Sequence, residues 1–166
     1  FNPKKVHHTR TGFVNPYLSL SEQKKSFNDL FKMMSSKRPD PQYQQQDQLS
    51  INDINQNINK NHSFITWIGH STMLIHIDGT TILTDPIFSD RCSPVQFIGP
   101  KRYTSPSINL SSLPKINLIV ISHNHYDHLD KGSIKILGKD TSTVWYVPLG
   151  LKNWFQKLNV QNVNEL

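Results

Sequence analysis

The chain has 166 residues, a formal net charge of +6 and a single cysteine. One thiol excludes an internal disulfide and a cysteine-based zinc knuckle, and it leans toward a reducing, cytoplasmic compartment. The basic balance is compatible with anionic lipid, phosphate-bearing substrates or nucleic acid without choosing among them, and no apolar run approaches the length of a membrane-spanning helix.

Residues 1–20 read as irregular, broken at Thr11-Gly12 and Asn15-Pro16. His7 and His8 are adjacent, hence poorly placed to share one ion. Ser19 and Glu22 form a capping-box pattern, after which Phe27, Leu30, Phe31 and Met34 recur on one helical face. Residues 1–35 are therefore expected to form an N-terminal extension with one amphipathic helix. That face packs on the main body or, flanked by Lys24, Lys25, Lys32 and Lys37, meets a membrane or partner. Residues 36–62 are Pro-, Gln- and Asn-rich. They hold too little apolar surface to offset the entropy of ordering, so a polar connector is expected.

The folded core is expected over residues 63–166. Phe64–Ile68 and Thr72–Ile77 read as strands, and Asp78-Gly79 marks a hairpin turn into Thr81–Asp85. His76, mid-strand among apolar neighbours, reads as an outward-facing or satisfied core residue. Residues 86–115, with several prolines, form a long structured loop of the kind that tends to be functional. The short β-branched run Ile116–Ile121 reads as a buried strand. Asp130 then caps a short helix carrying Ile134 and Leu137, which stops at Gly138. Thr143–Val147 is a further strand, and Leu151, Trp154, Phe155 and Leu158 share a helical face. A meander followed by alternating strand and helix argues for a mixed α/β fold with helices covering a sheet. Phe1 is not a native start and the last residues begin a strand, so the chain reads as a piece of something longer.

The chemistry concentrates where the buried strand ends, at His123-Asn124-His125-Tyr126-Asp127-His128. Positions two apart in an extended chain project to one side, so His123 and His125 can grip a single ion. Asp127 and His128 follow where the chain leaves the sheet and can swing toward a neighbouring ion. Burying so many ionisable groups without a partner is costly, and a divalent cation relieves that cost. Neutral imidazole and carboxylate suit zinc and similar borderline ions.

This His-x-His-x-Asp-His stretch after a strand resembles the hallmark of the metallo-β-lactamase superfamily. Thr66–Thr72, Leu83–Ser89, Gly99–Tyr103, Ile121–Asp130 and Val147–Leu151 together resemble, within it, the family of N-acyl-phosphatidylethanolamine-hydrolysing phospholipases D. The resemblance implies a four-layer αβ/βα sandwich, of which the N-terminal half falls in this chain, and two zinc ions. His123 and His125 would sit on one, Asp127 and His128 on the other. Asp127 and His128 would thus belong to the catalytic centre, with Asp85 supporting the metal loop from behind. His70 either lines the site or supports it structurally. Lys101 and Arg102 either hold a lipid phosphate or belong to an ordinary solvated loop, and Tyr126 packs beside the site or touches substrate.

The implied reaction is hydrolysis of the phosphodiester to an N-acylethanolamine and phosphatidic acid. The expected setting is peripheral association with a membrane surface, with a homodimer as one arrangement. Alternatives are a same-fold hydrolase of a soluble phosphate ester or lactone, and a catalytically incompetent fragment, because no histidine follows His128. Nucleic acid is not expected as a partner, since the basic residues are scattered without an aromatic-basic stripe.

Overall fold

Leu74, Leu83, Ile119, Trp145 and Val163 lie opposite one another on successive strands and form one apolar row across a mixed sheet. Four of the five are wholly inaccessible to solvent and Val163 nearly so; burial of each such side chain contributes about 1.5–3 kcal/mol relative to exposure. The computed structural model describes residues 2–10, 12–19, 28 and 48–166. The amphipathic helix expected around Phe27–Met34 lies, apart from Asn28, outside the described residues.

The sheet has six strands in sequence order: β1 (Phe64–Gly69), β2 (Thr72–Ile77), β3 (Thr80–Thr84), β4 (Leu118–Val120), β5 (Val144–Val147) and β6 (Val163–Glu165). The first three pair antiparallel and the rest are added in parallel, so the mixed α/β class expected from the pattern is the one observed. Asp78 and Gly79 both have positive φ (48° and 72°), the backbone that a two-residue hairpin between right-twisted strands requires. Thr81 and His76, both buried, and the exposed Asn61 form a polar cluster at this end. The His76 ring lies 2.9 Å from Thr81 Oγ1 and 3.2 Å from Asn61 Oδ1, which makes it a satisfied core histidine.

Among the described residues three helices cover the apolar row, α1 (Ile51–Asn59), α2 (Lys131–Leu137) and α3 (Lys152–Gln156), delivering Ile54, Ile134 and Phe155 to the core. Over Ile51–Asn59 the first corrects the polar connector expected over residues 36–62, of which 36–47 lie outside the described residues. Ser50 caps it by accepting from the Asp53 N–H at 3.3 Å, and Ile51, Ile54 and Ile58 fall on one side. Three isoleucines at helical spacing bury enough surface to order a segment whose average composition is polar. Pro41–Leu166 is one compact unit and Phe1–Asp40 another. Within the latter, His8 and Phe13 form an isolated antiparallel bridge where irregular chain was expected.

Asp130 caps α2 as expected, and its carboxylate reaches further than the cap. It accepts from the backbone N–H of Gly132 (3.0 Å), Phe88 (3.2 Å) and Ser89 (3.0 Å) and from the Ser89 hydroxyl (2.8 Å). Burial pushes its carboxyl up, yet the hydrogen bonds from Ser133, Ser89 and Gly132 prevail and hold it below the usual range. The start of the long 86–115 loop is thereby fastened to α2.

Candidate metal centre

The rim of the sheet is built where β3 and β4 end side by side. Thr84 pairs with Val120, and Asp85, one residue on, turns out of the sheet at φ +36° while its N–H still donates to the Val120 carbonyl at 2.9 Å. In that conformation the Asp85 carboxylate faces the chain leaving β4. One oxygen accepts the Ser122 N–H at 2.7 Å; the other accepts the Ser122 hydroxyl at 2.6 Å and lies 2.8 Å from His128 Nδ1. An ionised carboxylate can only accept, so His128 carries its proton on Nδ1 and leaves Nε2 as a lone-pair donor. Ser122 Oγ, having donated to Asp85, lies 2.9 Å from His123 Nδ1 and orients that ring in the same way.

Beyond His125 the chain makes a tight turn, with the His128 and Leu129 N–H groups donating to the His125 carbonyl at 3.0 and 2.7 Å. The turn folds the four motif side chains into one cluster. His123 packs against His125 at 4.6 Å and against His128 at 3.9 Å between ring centroids. Two donor groups result: His123, His125 and Asp127 in one, and His70, Asp127 and His128 in the other, each with its donor atoms within 4.8 Å of one another. Asp127 is common to both. Burial pushes its carboxyl up, but its own backbone N–H, His128 and the His70 hydrogen bond together hold it below the usual carboxylate range.

The donor set fits a borderline divalent cation. It offers His123 and His128, each with Nδ1 already engaged by Ser122 or Asp85, together with the Asp127 carboxylate, and an engaged second ring nitrogen is the arrangement that orients metal-binding histidines. Ser122 is the member that sequence reading misses. Its only local signal is a hydroxyl between a buried strand and the first histidine, and its role depends on a partner 37 positions away. His70, read as lining or support, is brought to Asp127, with Nε2 3.2 Å from Oδ2.

The residues considered for substrate contact are placed differently. Arg102 donates from Nε to the Ser89 carbonyl (3.0 Å) and from Nη2 to the Ile87 carbonyl (2.9 Å), so it fastens the long loop from within. Lys101 is exposed and sits in an isolated bridge with Arg91. Tyr126 is 55% exposed and lines a cavity of about 470 Å³ with Leu129, Lys131, Leu151 and Trp154, directly beside the motif. A larger depression of about 790 Å³ lies along β6 and α3, with Lys152 and Asn159 among its lining, and contains none of the metal-donor residues. The smaller cavity contains none of them either, but Asn124 and Tyr126 of the motif line it.

Comparison with known proteins agrees with this geometry. The chain is 44% identical over 98 residues to N-acyl-phosphatidylethanolamine-hydrolyzing phospholipase D 1 of Caenorhabditis elegans, covering 58% of this chain and 28% of that one. It is 40% identical over 101 residues to the mitochondrial N-acyl-phosphatidylethanolamine-hydrolyzing phospholipase D of Saccharomyces cerevisiae, covering 61% and 21%. The chain thus spans between a fifth and a third of the length of these relatives. Among solved structures, an isothiocyanate hydrolase from Delia radicum gut bacteria superposes with a TM-score of 0.50 at 18% identity, over 61% of this chain and 41% of that one, a likeness of fold alone. Residues 64–165 match the family model described as the β-lactamase superfamily domain, and the chain belongs to that family, in the metallo-β-lactamase superfamily.

Proposed function

We propose that the chain carries the metal-binding half of a phosphodiesterase of the phospholipase D type, cleaving N-acyl-phosphatidylethanolamine to an N-acylethanolamine and phosphatidic acid. The observation that carries the metal reading is the convergence of two donor groups on Asp127, with His123 and His128 each oriented from behind. His123, His125 and Asp127 would hold one ion and Asp127 with His128 a second; zinc is the ion their chemistry suits best. The chemistry supplied there would be Lewis acidity toward a phosphoryl oxygen. The protein's own part is to hold the His123 and His128 rings with Nδ1 engaged so that Nε2 is presented, and to keep the Asp127 carboxylate between them.

The lipid reading is supported by the two named relatives and by the surroundings of the cavity beside Tyr126. The loop that contributes Ser93 and Pro94 to this cavity continues into exposed Val95, Phe97 and Ile98, with Phe97 83% accessible. Exposed apolar side chains next to a binding cavity suit contact with an acyl region at a membrane surface. Among the described residues no helix is long and apolar enough to cross a membrane, so the surface encounter proposed is peripheral.

The test is release of N-acylethanolamine from N-acyl-phosphatidylethanolamine vesicles by the full-length protein, with and without a chelator. Chelator-sensitive release is expected. Turnover confined to soluble phosphodiesters would replace the lipid reading with a soluble-substrate one, and no metal-dependent turnover of either would end the hydrolase reading.

A further inference from the structure

We propose that His70 is a positioning residue that sets the orientation of the Asp127 carboxylate in the metal centre through its Nε2–H. This inference rests on the reading of Asp127 as a metal ligand.

The backbone around His70 is shaped to deliver it. The β1–β2 register slips between Trp67 and Gly69, and the turn that follows places His70 at φ +48°, a left-handed conformation unfavourable for a residue with a Cβ. Such a conformation persists only where its surroundings impose it, and here they do so from three directions. The Trp67 indole N–H donates to the His70 carbonyl at 2.8 Å. The Thr84 hydroxyl donates to the Ser71 carbonyl at 2.7 Å and accepts the Met73 N–H at 3.1 Å. The Thr72 hydroxyl donates to the carbonyl of Asp85 at 2.7 Å and accepts the Ile87 N–H at 3.2 Å. The turn bearing His70 is thus bolted to the same strand end that carries Asp85, the residue that orients His128.

Asp127 needs such a partner. It sits on a turn with 41% of its side chain accessible, and among the described residues the side chain that hydrogen-bonds its carboxylate is His70, at 3.2 Å; His128 Nε2 stands farther off at 3.7 Å. Without that bond the carboxylate can rotate about its χ angles, and rotation takes its lone pairs away from both donor groups at once. An acceptor-only carboxylate requires the proton on His70 Nε2, and a neutral imidazole in that tautomer supplies it. The ring also packs edge-on against His128, with centroids 5.0 Å apart, so its own freedom is limited.

The experiment is a Co(II) titration of the chelator-stripped full-length protein, followed by visible absorption, for the parent, H70A and H70Q. The melting temperature of each stripped protein is measured alongside. H70A is expected to weaken Co(II) uptake by about 10–100-fold, the usual effect of removing a group that orients a ligand, without moving the absorption bands and with the stripped melting temperature held. H70Q, whose amide N–H can reach the same oxygen, is expected to recover most of the loss. Unchanged uptake in H70A, or H70Q no better than H70A, overturns the proposal. A band shift marking a lost nitrogen donor overturns it by making His70 a ligand, and a matching fall in stripped stability overturns it by making the role structural. Absence of Co(II) uptake by the parent sinks the metal reading itself, and this inference with it.

Discussion

Ser122 serves His123 as Asp85 serves His128, and the two supports are themselves joined by hydrogen bonds of 2.7 and 2.6 Å. Four residues therefore behave as one acceptor-donor chain whose end product is two correctly oriented lone pairs. Asp85→Asn keeps the shape but puts an amide where the His128 proton must be accepted. Metal affinity should fall by about 10–100-fold, measured by competition with a colorimetric chelator; an unchanged affinity would show that the His128 tautomer is set elsewhere. Trp145 is a second single-residue case. It is wholly buried and packs on Phe155 at 5.4 Å between rings, yet its indole N–H has no hydrogen-bond partner among the described residues. Trp145→Ala should cost about 3–5 kcal/mol through lost volume. Trp145→Phe should cost clearly less, because an unpaired buried N–H is itself unfavourable by about 1–3 kcal/mol. A Trp145→Phe loss in denaturant midpoint as large as that of Trp145→Ala would contradict this ordering.

At the level of elements, α2 and the loop after β3 are held together chiefly by Asp130. Asp130→Asn leaves a competent cap but sets an amide against the Phe88 and Ser89 N–H groups, a loss of about 3 kcal/mol. The pH dependence has a definite sign. The folded-state carboxyl titrates below the unfolded one, so its contribution is full above the unfolded value of about 3.9 and fades as pH falls through the folded-state value. The gap in Tm between parent and D130N should accordingly narrow below about pH 4. A gap that widened on acidification would contradict the ionised, hydrogen-bonded carboxylate.

For the whole molecule, metal and fold are linked, because an ion that binds only the assembled rim stabilises it by mass action. At 100 times its dissociation constant the gain is about 2.7 kcal/mol. Stripping the protein with a chelator should lower Tm, and returning zinc should restore it; a Tm indifferent to both would mean that the donors do not close on an ion.

Much of the fold was legible in the order of residues, because the interactions that specify it are short-ranged. The Asp78-Gly79 hairpin, the Asp130 cap with its stop at Gly138, the β-branched strand Leu118–Val120 and the His-x-His-x-Asp-His step each declare themselves within a few positions. Helix α1 was hidden because Ile51, Ile54 and Ile58 are diluted by Asn and Gln, so composition masked periodicity. What no local pattern could decide is the parallel pairing of β3 with β4 across the long loop. That pairing places Asp85 against Ser122 and His128, while the bulged β1–β2 turn brings His70 to Asp127 from 57 positions away. The donor residues were written in one stretch of chain, but the groups that orient them come from strands joined by the burial of an apolar sheet face. Only the closed fold settles which of them meet.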